Sequence, residues 1–131
     1  MSPERIRRIY EERRDWHHEL LFPLDMTGLL RILEREGVTL FHVPLPRPAQ
    51  LVQFCGAWAI LLDSQRPRRR DLFYACHELA HLWLHVDACG LERTDVIYNL
   101  EDLLTPGDAE CDADYLATLM LDPTLEDPRC V

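Results

Sequence analysis

Residues 68 to 85 read RRRDLFYACHELAHLWLH, and the spacing of their apolar side chains predicts one long helix. Leu72, Phe73, Cys76, Leu79, Ala80 and Trp83, with Val86 just beyond, recur at intervals that place them on one helical face. Cys89-Gly90 ends the run. Inside it stand His77, Glu78 and His81, an H-E-x-x-H string. Residues four apart on a helix differ by about 40° around the axis and one turn along it, so the two imidazoles project side by side and can grip one metal ion. Glu78 lies about 100° from His77, on the flank of the pair, where its carboxylate can reach a water beside the metal. His85 continues the series, but about 12 Å along the axis separates it from His77, too far for both to serve one ion with His81. It is expected as a helix-end histidine against terminal carbonyls.

A catalytic zinc takes three protein ligands and keeps one position open. The third is expected from the second acidic stretch, Glu110-Cys111-Asp112-Ala113-Asp114-Tyr115-Leu116-Ala117. Thr105-Pro106-Gly107-Asp108 restarts a helix there, and Asp122-Pro123 stops it. Glu110 is the expected ligand, with Glu101, Asp102, Asp108 and Asp112 as rivals. Asp114, one turn further, can accept a hydrogen bond from a ligand histidine and fix its tautomer.

Upstream the period changes. Ser2-Pro3-Glu4 starts an amphipathic helix over residues 3–20, with Ser2 as cap. Asp25 opens a second helix with Met26, Leu29, Leu30 and Leu33 as its stripe, and Gly37 closes it. Val38 to Val43 reads as a strand ended by Pro44, Pro46 and Pro48. Leu51 to Cys55 and Ala57 to Leu62 read as two more strands around Gly56. The second of these could take an extended substrate by strand addition if it lay at the sheet edge. His17, His18 and His42 are expected at the surface or at its boundary with the core. Residues 91–104 show no clear period and read as a loop with one short helix; the last eight residues read as a tail.

With 131 residues, 47% apolar and 28% charged, the chain is sized for one soluble domain. Its longest apolar run, Ala57 to Leu62, is far below the roughly 18 residues that span a bilayer, and no signal-peptide core follows the start. A cytoplasmic location is therefore expected. The five cysteines form no C-x-x-C pair and read as ordinary thiols of a reducing compartment. Charge is uneven: residues 1–70 hold twelve Arg against nine acids, residues 71–131 two Arg against fourteen. So acidic a second half argues against direct nucleic-acid binding, which needs clustered cations on the phosphates, and favours a basic protein partner.

The motifs together resemble the ImmA/IrrE family of zinc metallopeptidases. That family shows Gly-x-x-x-Ile-x-Leu-Asp, then Arg-x-x-Phe, before H-E-L-x-H. Here stand Gly56-Ala57-Trp58-Ala59-Ile60-Leu61-Leu62-Asp63, Arg70-Asp71-Leu72-Phe73 and His77 to His81. The family's second motif, E-x-x-A-[DN]-x-F-A-x-x-L-L-M-P, is matched at Glu110, Ala113, Asp114, Ala117, Leu121 and Pro123. Leu116, Met120 and Asp122 depart from it, at packing positions rather than at the metal pattern. The resemblance spans about residues 25–123.

The fold expected is α+β, a minimal zincin-like single domain over residues 1–131. A small three-stranded sheet should pack on the helix Arg68–His85, with the helix from near Asp108 closing the cleft. The resemblance implies a zinc endopeptidase (manganese being an alternative metal in the cell) that cuts a helix-turn-helix repressor and relieves transcriptional repression. His77, His81 and Glu110 would hold the metal, Glu78 would be general base and Asp114 would orient a ligand. Tyr98 and Tyr115 are candidates for a further oxyanion donor. The competing reading is a binding module, an antitoxin or anti-repressor that keeps the metal for folding. Four closing ligands would be expected of a structural zinc, against the three counted here plus Glu78.

Overall fold

The computed structural model describes residues 1–18, 22–54, 56–93 and 108–122. Two helices come first, α1 (Pro3–Trp16) and α2 (Met26–Glu36), then the strands β1 (Val38–Val43), β2 (Ala49–Phe54) and β3 (Ala57–Asp63). A 3₁₀ turn at Arg68–Arg70 leads into α3 (Asp71–His81), and α4 (Asp108–Leu121) follows later. The architecture is α+β, as expected.

Local chemistry explains the boundaries. Ser2 caps α1, its hydroxyl accepting from Arg5 N–H at 3.2 Å. The Asp25 carboxylate does the same for α2 through Gly28 N–H at 2.7 Å; such caps are worth about 1 kcal/mol each. Gly37 ends α2 at φ 71°, a left-handed conformation that a side chain would strain. Helix α1 stops at Trp16, earlier than the expected residue 20; His17 leaves the helical path to enter the core, and residues 19–21 lie outside the described set.

The sheet order is β1-β3-β2, with β1 parallel and β2 antiparallel to β3. This corrects the expectation that Ala57–Leu62 could lie at the edge. β3 is the central strand, paired on both sides, and its unbroken apolar run suits that place. β2 is the strand whose outer edge runs beside α3. Trp58, Ile60 and Leu62 point from β3 into the core, where Val38, Ala49 and Leu51 join them. Helix α3 packs on β2 and β3, and α4 packs on α3.

The expected continuous helix Arg68–His85 is in fact three segments. After His81 the backbone widens into a π turn, Leu82–Asp87, in which Ala88 N–H reaches back to the Trp83 carbonyl at 3.0 Å. The wide turn ends at Asp87, inside a buried ionic cluster. Arg93 donates to Asp87 (Nε–Oδ1 3.0 Å) and to Glu36, and Arg13 pairs with Asp87 at 2.8 Å. The Glu36 side chain is fully buried; it also receives Trp83 Nε1–H at 2.9 Å and faces His17 Nε2 at 2.8 Å. His17, expected at the surface or its boundary, is thus 1% exposed. The cluster joins α1, α2 and the end of the metal-motif helix.

Candidate metal centre

Helix α3 brings the two motif histidines together as their spacing predicts. His77 Nε2 and His81 Nε2 lie 3.1 Å apart. Glu110, in the first turn of α4, reaches across with Oε2 2.9 Å from His77 Nε2 and Oε1 3.1 Å from His81 Nε2. The ligand atoms of these three residues all fall within 4.8 Å of one another, so the group could hold a metal ion. Atoms bound at zinc distances in a tetrahedron stand about 3.3 Å from each other, close to the spacings here. Among the rivals, Asp108 and Asp112 do not join the group; Asp112 is buried against the amino group of Met1 at 3.2 Å. Glu101 and Asp102 lie outside the described residues.

Proton placement supports the fit. His77 Nδ1 lies 2.7 Å from Asp114 Oδ1. A carboxylate only accepts, so Nδ1 carries a proton there, which leaves Nε2 as the nitrogen that a metal ion would take. That nitrogen faces Glu110 and His81, where a cation is the natural complement. Burial, followed by the neighbouring His77 and His85, lowers the pKa of His81 to about 3, so His81 is neutral at ordinary pH. Its Nδ1 is buried without a hydrogen-bond partner among the described residues.

His85 stays out of the group, as expected, but for a different contact. Its Nε2 donates to the Ala109 carbonyl of α4 at 3.4 Å rather than to its own helix end. His42 is likewise engaged elsewhere, with Asp71 at 2.8 Å.

Glu78 stands beside the group on the flank that faces β2. Burial is the main influence on its carboxyl, pushing it up to about 7; the Glu110 charge adds to this, while His77, Arg47 and the Leu51 backbone amide act the other way. Glu78 is therefore held between α3 and the outer edge of β2, with a proton affinity near neutrality.

A cleft of about 490 Å³ opens over these residues, lined by Arg47, Pro48, Ala49, Phe73, Tyr74, His77, Glu78, Glu110 and Asp114. Tyr115 does not reach it. That ring is buried in the core and its hydroxyl takes a hydrogen bond from Arg7 at 3.3 Å, so it is no oxyanion donor; Tyr98 lies outside the described residues. Arg47, Phe73 and Tyr74 were not expected in the site. Phe73 reads from the sequence as part of the buried helix face, Tyr74 is off that face, and Arg47 falls among the prolines that end the strand Val38–Val43.

Comparison of the chain with models of known protein families, with curated proteins and with solved structures finds no match in any of the three. The chemistry of the site thus rests on its own residues. Among the described residues, no helix is long and apolar enough to cross a membrane.

Proposed function

We propose that the protein is a zinc-dependent endopeptidase of the zincin type. One observation carries the reading: three convergent candidate ligands with a further carboxylate, Glu78, outside their group but buried beside them in an open cleft. A closed structural zinc takes a fourth protein ligand, and Glu78 is not one of the ligand group. When bound, zinc would supply Lewis acidity toward a peptide carbonyl and a water. His77, His81 and Glu110 would hold it, and Asp114 would keep the His77 ring in its binding tautomer. Glu78 accepts a proton from water as that water attacks, then returns it to the leaving amine; a carboxyl poised near neutral pH suits both transfers.

The outer edge of β2 suits an extended substrate. β2 is paired to β3 on one side only, among the described residues, and Leu51 turns its amide toward Glu78. A peptide laid along this edge would pass Glu78 and the three ligands.

The substrate we propose is a helix-turn-helix repressor. The resemblance to ImmA/IrrE peptidases supports it, as does the acidic second half of the chain, which would attract a basic partner. The test is to incubate zinc- or manganese-loaded protein with helix-turn-helix repressors from the same genome. A single cut that disappears in Glu78→Gln is expected. Stoichiometric binding without cleavage under either metal would overturn the peptidase and favour an anti-repressor.

A further inference from the structure

Each charged group that lines the cleft is already occupied. Glu110 faces both motif histidines, and Asp114 holds the His77 ring. Glu78 is buried beside them, and Arg47 is itself engaged, its charge acting on Glu78. What the metal chemistry leaves without a task is carbon: Phe73 and Tyr74 from α3, with Pro48 and Ala49 from the start of β2.

The two rings stand one helical turn before the motif pair. Phe73 and His77 are four residues apart on α3, and so are Tyr74 and Glu78. Each ring therefore shares a helix face with one of them, about 6 Å along the axis. Phe73 leans on the His77 ring, with centroids 6.3 Å apart, and Tyr74 meets Phe73 edge-on at 6.0 Å. Both are half-buried: they pack against the hydrophobic core and also line the cleft. Packed core neighbours limit how far such rings can swing, so the aromatic wall is preformed.

The facing residues are fixed as well. Asp63 N–H donates to the Pro48 carbonyl at 3.0 Å, and the Pro48 ring locks its own φ. Ala49 pairs with Leu62 in the sheet. A peptide carbonyl held beside Glu78 has about one helical turn between it and the rings. A leucine- or phenylalanine-sized side chain on a residue flanking that carbonyl can cover this gap, and the methyl of an alanine cannot. Seating such a side chain removes apolar surface from water on both partners.

We propose that Phe73 and Tyr74 are specificity-determining residues, which with Pro48 and Ala49 take a bulky apolar side chain of a residue flanking the scissile bond. The proposal rests on the peptidase reading of the same cleft. It names the substrate class: segments with an aliphatic or aromatic residue at the cleaved bond, rather than small or charged ones.

Three hydroxamates of one dipeptide scaffold, differing only in an alanine, leucine or phenylalanine side chain beside the zinc-binding group, test this by calorimetric titration into the zinc-loaded full chain. The leucine and phenylalanine probes are expected to bind about tenfold more tightly than the alanine probe. Tyr74→Ala should remove most of that preference, the loss falling mainly on the two bulky probes. Tyr74→Phe keeps the ring and should retain it; zinc content and melting temperature confirm that each variant is folded. Equal binding of the three probes to the wild type, or a preference that survives Tyr74→Ala, overturns the proposal. So does an equal loss for all three in Tyr74→Ala, or a loss in Tyr74→Phe as large as in Tyr74→Ala, which would assign the effect to the hydroxyl. Failure of every probe to bind overturns both readings. A digest of a denatured proteome parts them. Cuts with no enrichment of bulky apolar residues at the cleaved bond sink the subsite and leave the peptidase. No cut at all, with the calorimetric preference intact, sinks the peptidase and leaves the subsite standing.

Discussion

The Asp114 carboxylate lies 2.7 Å from Nδ1 of His77, across the contact between α4 and α3. Because α4 carries both Glu110 and Asp114, one helix would supply a ligand oxygen to a bound metal and also the group that aims the His77 ring of the other helix. The centre therefore depends on the packing of α3 on α4 as much as on the motif itself.

Removing that aiming contact should weaken the centre without abolishing it. Asp114→Ala leaves His77, His81 and Glu110 in place but frees the His77 ring to rotate or change tautomer. Zinc affinity is expected to fall by about 10- to 100-fold, measured by competition with a chromogenic chelator. One equivalent should still bind at saturating zinc. A stoichiometry of zero would show Asp114 to be a ligand.

Histidine variants should divide cleanly. His81→Ala removes a ligand, so zinc content should drop from about one equivalent to near zero after gel filtration. His85→Ala should retain its zinc, since the ring is engaged with the Ala109 carbonyl. Equal zinc loss in both would mean that His85 enters the centre when metal is present.

In metal-free protein, stability should carry the mark of Glu78. Burial holds its carboxyl near 7 in the folded chain, against an ordinary value of 4.5. Between those values the folded state keeps a proton that the unfolded chain has lost, so stability falls as pH rises through that window. The fall amounts to about 3 kcal/mol. His81 works in the opposite direction: its lowered pKa, about 3 against 6.5, makes its contribution disappear as pH falls from 6.5 toward 3. The difference between wild type and Glu78→Gln isolates the first effect. Urea unfolding of chelator-treated proteins at about pH 4 and pH 8 should show the glutamine variant gaining about 3 kcal/mol on the wild type between them. An unchanged difference would remove burial as the source of the shift.

What was legible followed from local spacing. The i, i+4 histidines, the Asp25 and Gly37 ends of α2 and the three strand runs each depend on a few neighbouring residues, and each stands close to where the pattern placed it, β2 starting two residues earlier at Ala49. Glu110 and Asp114, one turn apart on α4, both face His77, as their spacing allows. What escaped depended on long-range pairing. No local pattern says that β1 skips β2 to run parallel with β3, which leaves β2 as the edge beside Glu78. His17 is buried only because Glu36, nineteen positions away, meets it. Arg47 enters the cleft through the hold of Asp63 on its loop.

The Glu36 cluster yields the last prediction. Its carboxylate is fully buried and meets Arg13, Arg93, His17 and Trp83, which belong to three separate parts of the chain. Neutralising it leaves two guanidinium groups and a buried histidine short of their acceptor charge, although Asp87 still holds both arginines. Breaking one partner out of a buried ionic group costs about 3 kcal/mol or more. Glu36→Gln should therefore lower the unfolding free energy by that amount, read as a lower urea midpoint at unchanged m-value, in zinc-loaded and metal-free protein alike. Zinc affinity should hardly change, because the cluster lies at Asp87, beyond the π turn and away from His77 and Glu110. A loss below 1 kcal/mol would mean that Asp87 alone satisfies the arginines. A large loss of zinc affinity at normal stability would instead show that the π turn transmits strain from Asp87 back to His81.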